Sequence, residues 1–233
     1  MTEENGSESK VTGLPPITRK TKEQWLEEGH ILAFYTPIRY EEALAAYDQA
    51  IQLDPGYGLA HRMKGYTLHA LKRYEEALAA YEQAISLDAT DADAYTGKGD
   101  LLYNLKRYEE ALTAYEQALH LDPNAAQAAN GKALTLVFLN RQEEALAVYD
   151  HIIRLGDDPA YTWMAYLNSG TLLASLSRNE EALAAFEEAS RLEPDDVSVW
   201  RHMGDVLTVL ERSNEAKQAY ERAGQSGSEE DAY

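Results

Sequence analysis

Two short stretches carry the residue types from which a phosphate site is made, Gly97-Lys98-Gly99 and Gly131-Lys132. A phosphate-cradling loop needs glycines that let backbone amides approach the anion, a lysine that reaches its oxygens and, in nucleotide-binding loops, a Ser or Thr directly after the lysine. The first stretch lacks the third glycine, follows no strand-like run and falls inside a helical pattern. The second lacks both the upstream glycine and the following hydroxyl. The six histidines form no HExxH pair and the chain has no cysteine, so thiolate chemistry and disulfides are excluded and no metal site is expected. No nucleophile, base and orienting group can be assembled, and the chain is read as non-enzymatic, without cofactor or metal.

Two further series recur at a fixed step. Lys64, Lys98 and Lys132 could meet the carboxylates of a partner, or could lay their stems over apolar surface with the ammonium in water. Tyr47, Tyr81, Tyr115, Tyr149, Phe186 and Tyr220 could stack a ligand, but they share a helical stripe with Ala and Leu and are read as packing between helices.

The elements that must position these side chains are near copies of one unit, Tyr108-Glu109-Glu110-Ala111-Leu112-Thr113-Ala114-Tyr115. Its alanine recurs as Ala43, Ala77, Ala111 and Ala145 at a step of 34 residues, then as Ala182 after 37 and Ala216 after 34. A fixed period of this length is the signature of a repeat array. Within the unit, Ala111, Leu112, Tyr115, Ala118 and Leu119 fall on one stripe of a helix, here helix B. Upstream, Tyr95, Gly99, Leu102 and Leu105 form helix A, joined to B by the turn at Lys106-Arg107. Gly65, Gly99, Gly170 and Gly204 are expected to let the B backbone approach closely. Leu53-Asp54-Pro55, Leu121-Asp122-Pro123 and Leu192-Glu193-Pro194 close the B helices, proline stopping one helix and presetting the next. The Glu-Glu pairs that open helix B suit the positive end of its dipole and are read as solvated helix starts.

With Ala92 as the first place, glycine stands at the eighth (Gly99), alanine at the twentieth (Ala111), an aromatic at the twenty-fourth (Tyr115), alanine at the twenty-seventh (Ala118) and proline at the thirty-second (Pro123). This pattern resembles the tetratricopeptide repeat, over about residues 22–223. The resemblance implies an all-α, right-handed superhelical solenoid of about six antiparallel helix pairs, binding a protein or peptide on a concave face lined by the A helices. Transferred place by place, the implied groove holds Arg62, Tyr66 and His69; Thr96, Asp100 and Tyr103; Asn130, Leu134, Val137 and Phe138; Met164, Leu167 and Thr171; and Arg201 and Asp205. Its middle is expected to be apolar and its ends polar. Leu134, Val137, Phe138, Met164 and Leu167 are the expected hot spots, with Arg62, Tyr103, Asn130 and Arg201 setting register. Family members that grip a chaperone's C-terminal carboxylate have Lys at the fifth place and Asn at the ninth. Arg62 and Tyr66 stand there, followed by Thr96 and Asp100, so that ligand is not expected.

With 21 Lys and Arg against 40 Asp and Glu, the chain carries a net charge of −19, which repels a phosphate backbone and argues against nucleic acid. Met1-Thr2-Glu3-Glu4-Asn5 is not the basic start of a secretory signal, and no run approaches the ~18 apolar residues of a membrane span. A cytoplasmic protein with no membrane or nucleic-acid partner is the expectation.

Residues 1–20 are read as a disordered N-terminal tail, 21–223 as the solenoid and 224–233 as a disordered acidic C-terminal tail. The first pair has two extra residues, placed at Thr36-Pro37, and should pack less regularly. The insertion near 156–162 should form a longer loop and change the superhelical angle. Lys217 and Gln218 turn the last B helix polar, as the end of a solenoid requires. The functional expectation is an adaptor that takes a peptide or helix of a partner in the groove. The alternatives are a protein that self-associates through the first pair or the 156–163 joint, and a regulatory module of an enzyme complex.

Overall fold

The structure is a computed structural model and describes residues 20–35 and 37–230; the expected N-terminal tail up to residue 19, Thr36 and residues 231–233 lie outside the described residues. Among the described residues twelve α-helices follow one another: α1 (Lys22–Phe34), α2 (Tyr40–Leu53), α3 (Gly58–Ala70), α4 (Tyr74–Leu87), α5 (Ala92–Asn104), α6 (Tyr108–Leu121), α7 (Ala126–Phe138), α8 (Gln142–Leu155), α9 (Pro159–Ser175), α10 (Asn179–Leu192), α11 (Val197–Val209) and α12 (Ser213–Glu230). They form six consecutive antiparallel pairs, with no strand among the described residues. Each A helix (α1, α3, α5, α7, α9, α11) touches the A helix of the next pair, whereas the B helices contact only A helices. The A helices therefore lie side by side on the inner face and the B helices form the outer one.

The A-to-B turns share one geometry. In the turn after α5, Lys106 has φ +60°, its N–H donates to the Tyr103 carbonyl at 2.9 Å, and the Arg107 N–H donates to the Leu102 carbonyl at 2.9 Å. This is the double hydrogen bond of a left-handed helix ending that glycine usually serves. Lys72, Asn140, Ser177 and Glu211 take the same backbone conformation. The next residue is arginine each time, and Arg73, Arg107, Arg141, Arg178 and Arg212 each make a two-armed ion pair with the glutamate three positions on, as Arg107 does with Glu110 at 2.6 Å. The first pair departs: its turn spans five residues, 35–39, where the others span three. It still buries Ala33, Ala43 and Tyr47 together.

The B-to-A connectors owe their shape to aspartate as much as to proline. Asp54, Asp88 and Asp122 accept the N–H two residues on, from Gly56 at 3.0 Å, Thr90 at 2.9 Å and Asn124 at 3.0 Å, and Asp88 does so with no proline after it. Such a local side-chain bond gives the backbone an alternative to further helix.

Four expectations are corrected. The glycines at the eighth place make room for a ring and not for the B backbone: a Cβ on Gly99 would lie 2.7 Å from Cε1 of Tyr115, and one on Gly170 would lie 2.7 Å from Cε1 of Phe186. The same tyrosine is approached from the following repeat by Gly131, so its ring is held between two glycines. Tyr47, Tyr81, Tyr115, Tyr149 and Phe186 are all buried, and only Tyr220 of the series is exposed.

The insertion near 156–162 does not lengthen the loop. The connector is the three residues Gly156–Asp158, and the added residues extend α9 to 17 residues where the other A helices have 13. Gly156, at φ +60°, ends α8, Asp158 accepts the Ala160 N–H at 2.9 Å, and Pro159 occupies the first turn, so a strong helix start sits where a loop was expected.

Nor does helix stop at 223: α12 runs on to Glu230. No proline interrupts the stretch, although Gly224 and Gly227 are poor helix formers. Finally, Lys64, Lys98 and Lys132 neither await a partner nor simply float. They reach the acid that follows the buried tyrosine of the preceding B helix, Lys64 to Asp48 at 2.6 Å, Lys98 to Glu82 at 2.9 Å and Lys132 to Glu116 at 3.2 Å.

Candidate interaction groove

The inner face opens into a concave cavity of about 790 Å³ that runs from Phe34 on α1 to Tyr161 and Met164 on α9. Of the groove residues expected from sequence, Arg62, Tyr66, His69, Thr96, Asp100, Tyr103, Asn130, Leu134 and Met164 line it. Arg201 and Asp205 do not join them and flank a separate shallow depression on α11. Val137 and Leu167 pack against the hydrophobic core, which corrects their reading as unpartnered apolar groups. Phe138 lies beyond the cavity lining, 55% exposed, stacked on Tyr108 at 5.0 Å and edge-on to Tyr103 at 5.6 Å. Thr171 is exposed outside the cavity.

Polar and apolar zones are distributed opposite to expectation. Apolar wall comes from the two ends, with Phe34, Met63 and Tyr66 on one side and Leu134, Met164 and the ring of Tyr161 on the other. The centre is polar and is built on α5. Asp100 accepts the Tyr115 hydroxyl at 2.7 Å and the Gln127 amide at 2.8 Å. Burial pushes its carboxyl above the usual range, opposed by those two hydrogen bonds and by His69. His69 is pushed down by burial, with Asp100 pulling the other way, and its Nε2 lies 2.7 Å from the Asn104 amide.

Not every polar group here is free to meet a ligand. Arg62 is neutralised, its Nη1 2.9 Å from Asp93 and its Nε 3.0 Å from Asp91, the latter close enough for an ion pair although it makes no hydrogen bond. That removes Arg62 as an available anchor. Thr96 is buried and its hydroxyl donates to the Ala92 carbonyl at 3.0 Å. Asn130 accepts weakly from Asn168 at 3.4 Å. Tyr81 is different: its hydroxyl is buried, lines the cavity and has no hydrogen-bond partner.

Sequence reasoning missed Tyr81 and Tyr115 because they come from B helices and were read as packing between helices alone. The signal was present in Gly97 and Gly131, which pack against the tyrosine rings beside the cavity: a Cβ on Gly97 would lie 2.8 Å from the Tyr81 hydroxyl. The same contacts dispose of the phosphate-loop motifs. Gly97 and Gly99 sit inside α5 against rings, and Lys98 and Lys132 are paired with glutamates. Among the described residues no three His, Asp or Glu side chains are grouped as a metal would need, and no helix is long and apolar enough to cross a membrane.

Comparison with known proteins agrees with this architecture. Family models described as tetratricopeptide repeat match residues 92–125, 46–79 and 167–230, and one described as TPR repeat matches 65–106. No curated protein matches the sequence. Among solved structures, YrrB, titled a TPR protein with an unusual peptide-binding site, superposes with a TM-score of 0.64 at 23% identity over 78% of this chain and 93% of its own. PilF of Pseudomonas aeruginosa gives 0.73 at 19% identity over 85% of this chain and 88% of its own. A MamA RS-1 variant gives 0.67 at 20% identity over 76% and 97%.

Proposed function

Because the chain is a tetratricopeptide repeat protein, we propose that it is a non-enzymatic adaptor that holds a segment of a partner protein in the cavity between α1 and α9. The observation that carries this reading is the cavity itself. It is open to solvent along its length, and its two apolar walls and polar centre suit an extended peptide better than a small polar metabolite. The net charge of −19 opposes a nucleic-acid partner.

The test is selection of a random dodecapeptide display library on the full chain, with Leu134→Asp/Met164→Asp as the comparison. Peptides that bind the wild type should lose at least tenfold in affinity on the variant while its helical circular dichroism and melting are kept. Equal binding to both proteins would remove the cavity from the function.

A second reading has its own observation. Ile31, Phe34, Tyr35 and Ile38 of the first pair are apolar and all at least 39% exposed. Such side chains suit a second copy of the chain. Light scattering over a dilution series decides it, since a mass equal to the monomer at every concentration rules self-association out.

A further inference from the structure

We infer that the centre of the cavity is a receptor for one basic side chain, a lysine or arginine carried by the bound peptide, seated between Asp100 and the Tyr81 hydroxyl. The inference rests on the peptide-binding reading above and specifies the chemistry of its ligand. Three independent observations lead to it.

The first is charge. Among the described residues, the only cationic side chain on the cavity wall other than histidine is Arg62, and it is paired to both Asp91 and Asp93. Asp100 has hydrogen bonds from two neutral donors but no ion pair. The cavity therefore holds negative charge in excess, at a place where burial already disfavours an uncompensated carboxylate. An entering ammonium or guanidinium would relieve that cost, and an entering carboxylate would add to it.

The second is the unpartnered hydroxyl. Tyr81 is 1% exposed and its oxygen finds no donor or acceptor, an unusual state for a buried phenol. Tyr81 and Gly97 both line the cavity, and a Cβ added at position 97 would lie 2.8 Å from the phenol oxygen. A cationic N–H seated against Asp100 has donors to spare, and the Tyr81 oxygen offers the lone pair that one of them needs.

The third is the wall. Tyr66 and Tyr103 line the cavity with Asp100, and aromatic faces attract a desolvated cation. Apolar side chains on both flanks, Phe34 and Met63 toward one end and Leu134 and Met164 toward the other, would take the residues before and after the basic one. The implied motif is an apolar–basic–apolar segment, with alternate side chains entering the groove.

The experiment starts from the dodecapeptides selected on the wild-type chain. Sequences that depend on Leu134 and Met164 should carry Lys or Arg between apolar residues. Synthetic copies with that residue replaced by norleucine should bind at least tenfold more weakly. Asp100→Asn should erase the difference between the lysine and norleucine peptides. Tyr81→Phe, which removes only the unpartnered oxygen, should fold as well as the wild type and weaken the lysine peptide severalfold while leaving the norleucine peptide unchanged. Selected peptides that need Leu134 but are neutral or acidic at their centre, or lysine peptides that bind Asp100→Asn as tightly as wild type, would overturn this inference and leave the groove standing. Peptides indifferent to Leu134 would overturn both.

Discussion

The two glycines that hold the Tyr115 ring allow a prediction whose sign, and not only its size, can fail. Replacing a helical glycine by alanine removes a backbone entropy cost and on propensity alone gains about 1 kcal/mol. At Gly99 the new methyl would lie 2.7 Å from Cε1 and 2.8 Å from Cδ1 of Tyr115, well inside contact distance. The ring is buried and cannot swing away, because Gly131 of the next repeat closes its other face. Overpacking of this kind costs about 1–3 kcal/mol, so the net for Gly99→Ala is about 1 kcal/mol of lost stability. In a chain of this size that lowers the melting midpoint by roughly 2–4 °C.

Gly65 is looser, with its Cβ position 3.0 Å from the Tyr81 ring, and Gly65→Ala should come out near zero. Gly224 in α12 meets nothing within 4 Å, and Gly224→Ala should stabilise. Urea melts followed by circular dichroism give the three values. In a Tyr115→Leu background, where the obstructing ring atoms are gone, Gly99→Ala should turn from harmful to neutral or helpful. A Gly99→Ala protein that melts higher than wild type, or one equally harmed in both backgrounds, would refute the claim that these glycines exist to seat rings.

Other consequences can be checked as directly. Lys106→Gly should stabilise by about 0.5–1 kcal/mol, since glycine takes φ +60° without steric penalty, and Asn140→Gly should gain less because asparagine already tolerates that region; urea midpoints compare them. Burial raises the Tyr47 phenol to about 12 and those of Tyr81, Tyr115 and Tyr149 further still, so the folded state holds these protons more tightly than the unfolded chain. Their contribution is complete below pH 10 and is lost as pH climbs through 12. Tyrosinate absorbance should therefore rise together with loss of helix, and a tyrosinate signal from a still-helical chain would contradict it. On the acid side, Glu76, Glu110, Glu144, Glu181 and Glu215 are held below their usual range by the arginine three positions earlier. What they contribute is present above about pH 4.5 and fades below it, so a melting temperature that rose between pH 5 and 3 would contradict the assignment.

Much of this fold is legible in the sequence because each repeat states its own phase. Alanine, tyrosine and the turn residues return every 34 positions apart from one step of 37, and helix boundaries follow from them. What was misread lies between repeats. The pairing of Lys64 with Asp48 spans 16 residues and crosses a junction, as do Lys98 with Glu82 and Lys132 with Glu116, and a scan within single units does not see it. Asp100 could be placed on the inner face, but its partners Tyr115 and Gln127 come from another helix and another repeat. Val137 and Leu167 share the period of groove positions yet turn inward against the core, a rotation that periodicity alone does not fix. The extra turn of α9 was readable after all: Asp158-Pro159 is a helix-start signal, outweighed by the habit of assigning insertions to loops.

That extra turn also bears on the peptide-binding reading proposed above. Tyr161, carried by that turn, and Met164 are the α9 residues of the cavity lining, and the depression on α11 with Arg201 and Asp205 is separate from it. A uniform solenoid offers an unbroken track on which a bound strand can slide from one unit to the next. If the proposed peptide binding holds, a ligand seated in the cavity has one register, and a longer one must cross from the cavity to the separate depression on α11.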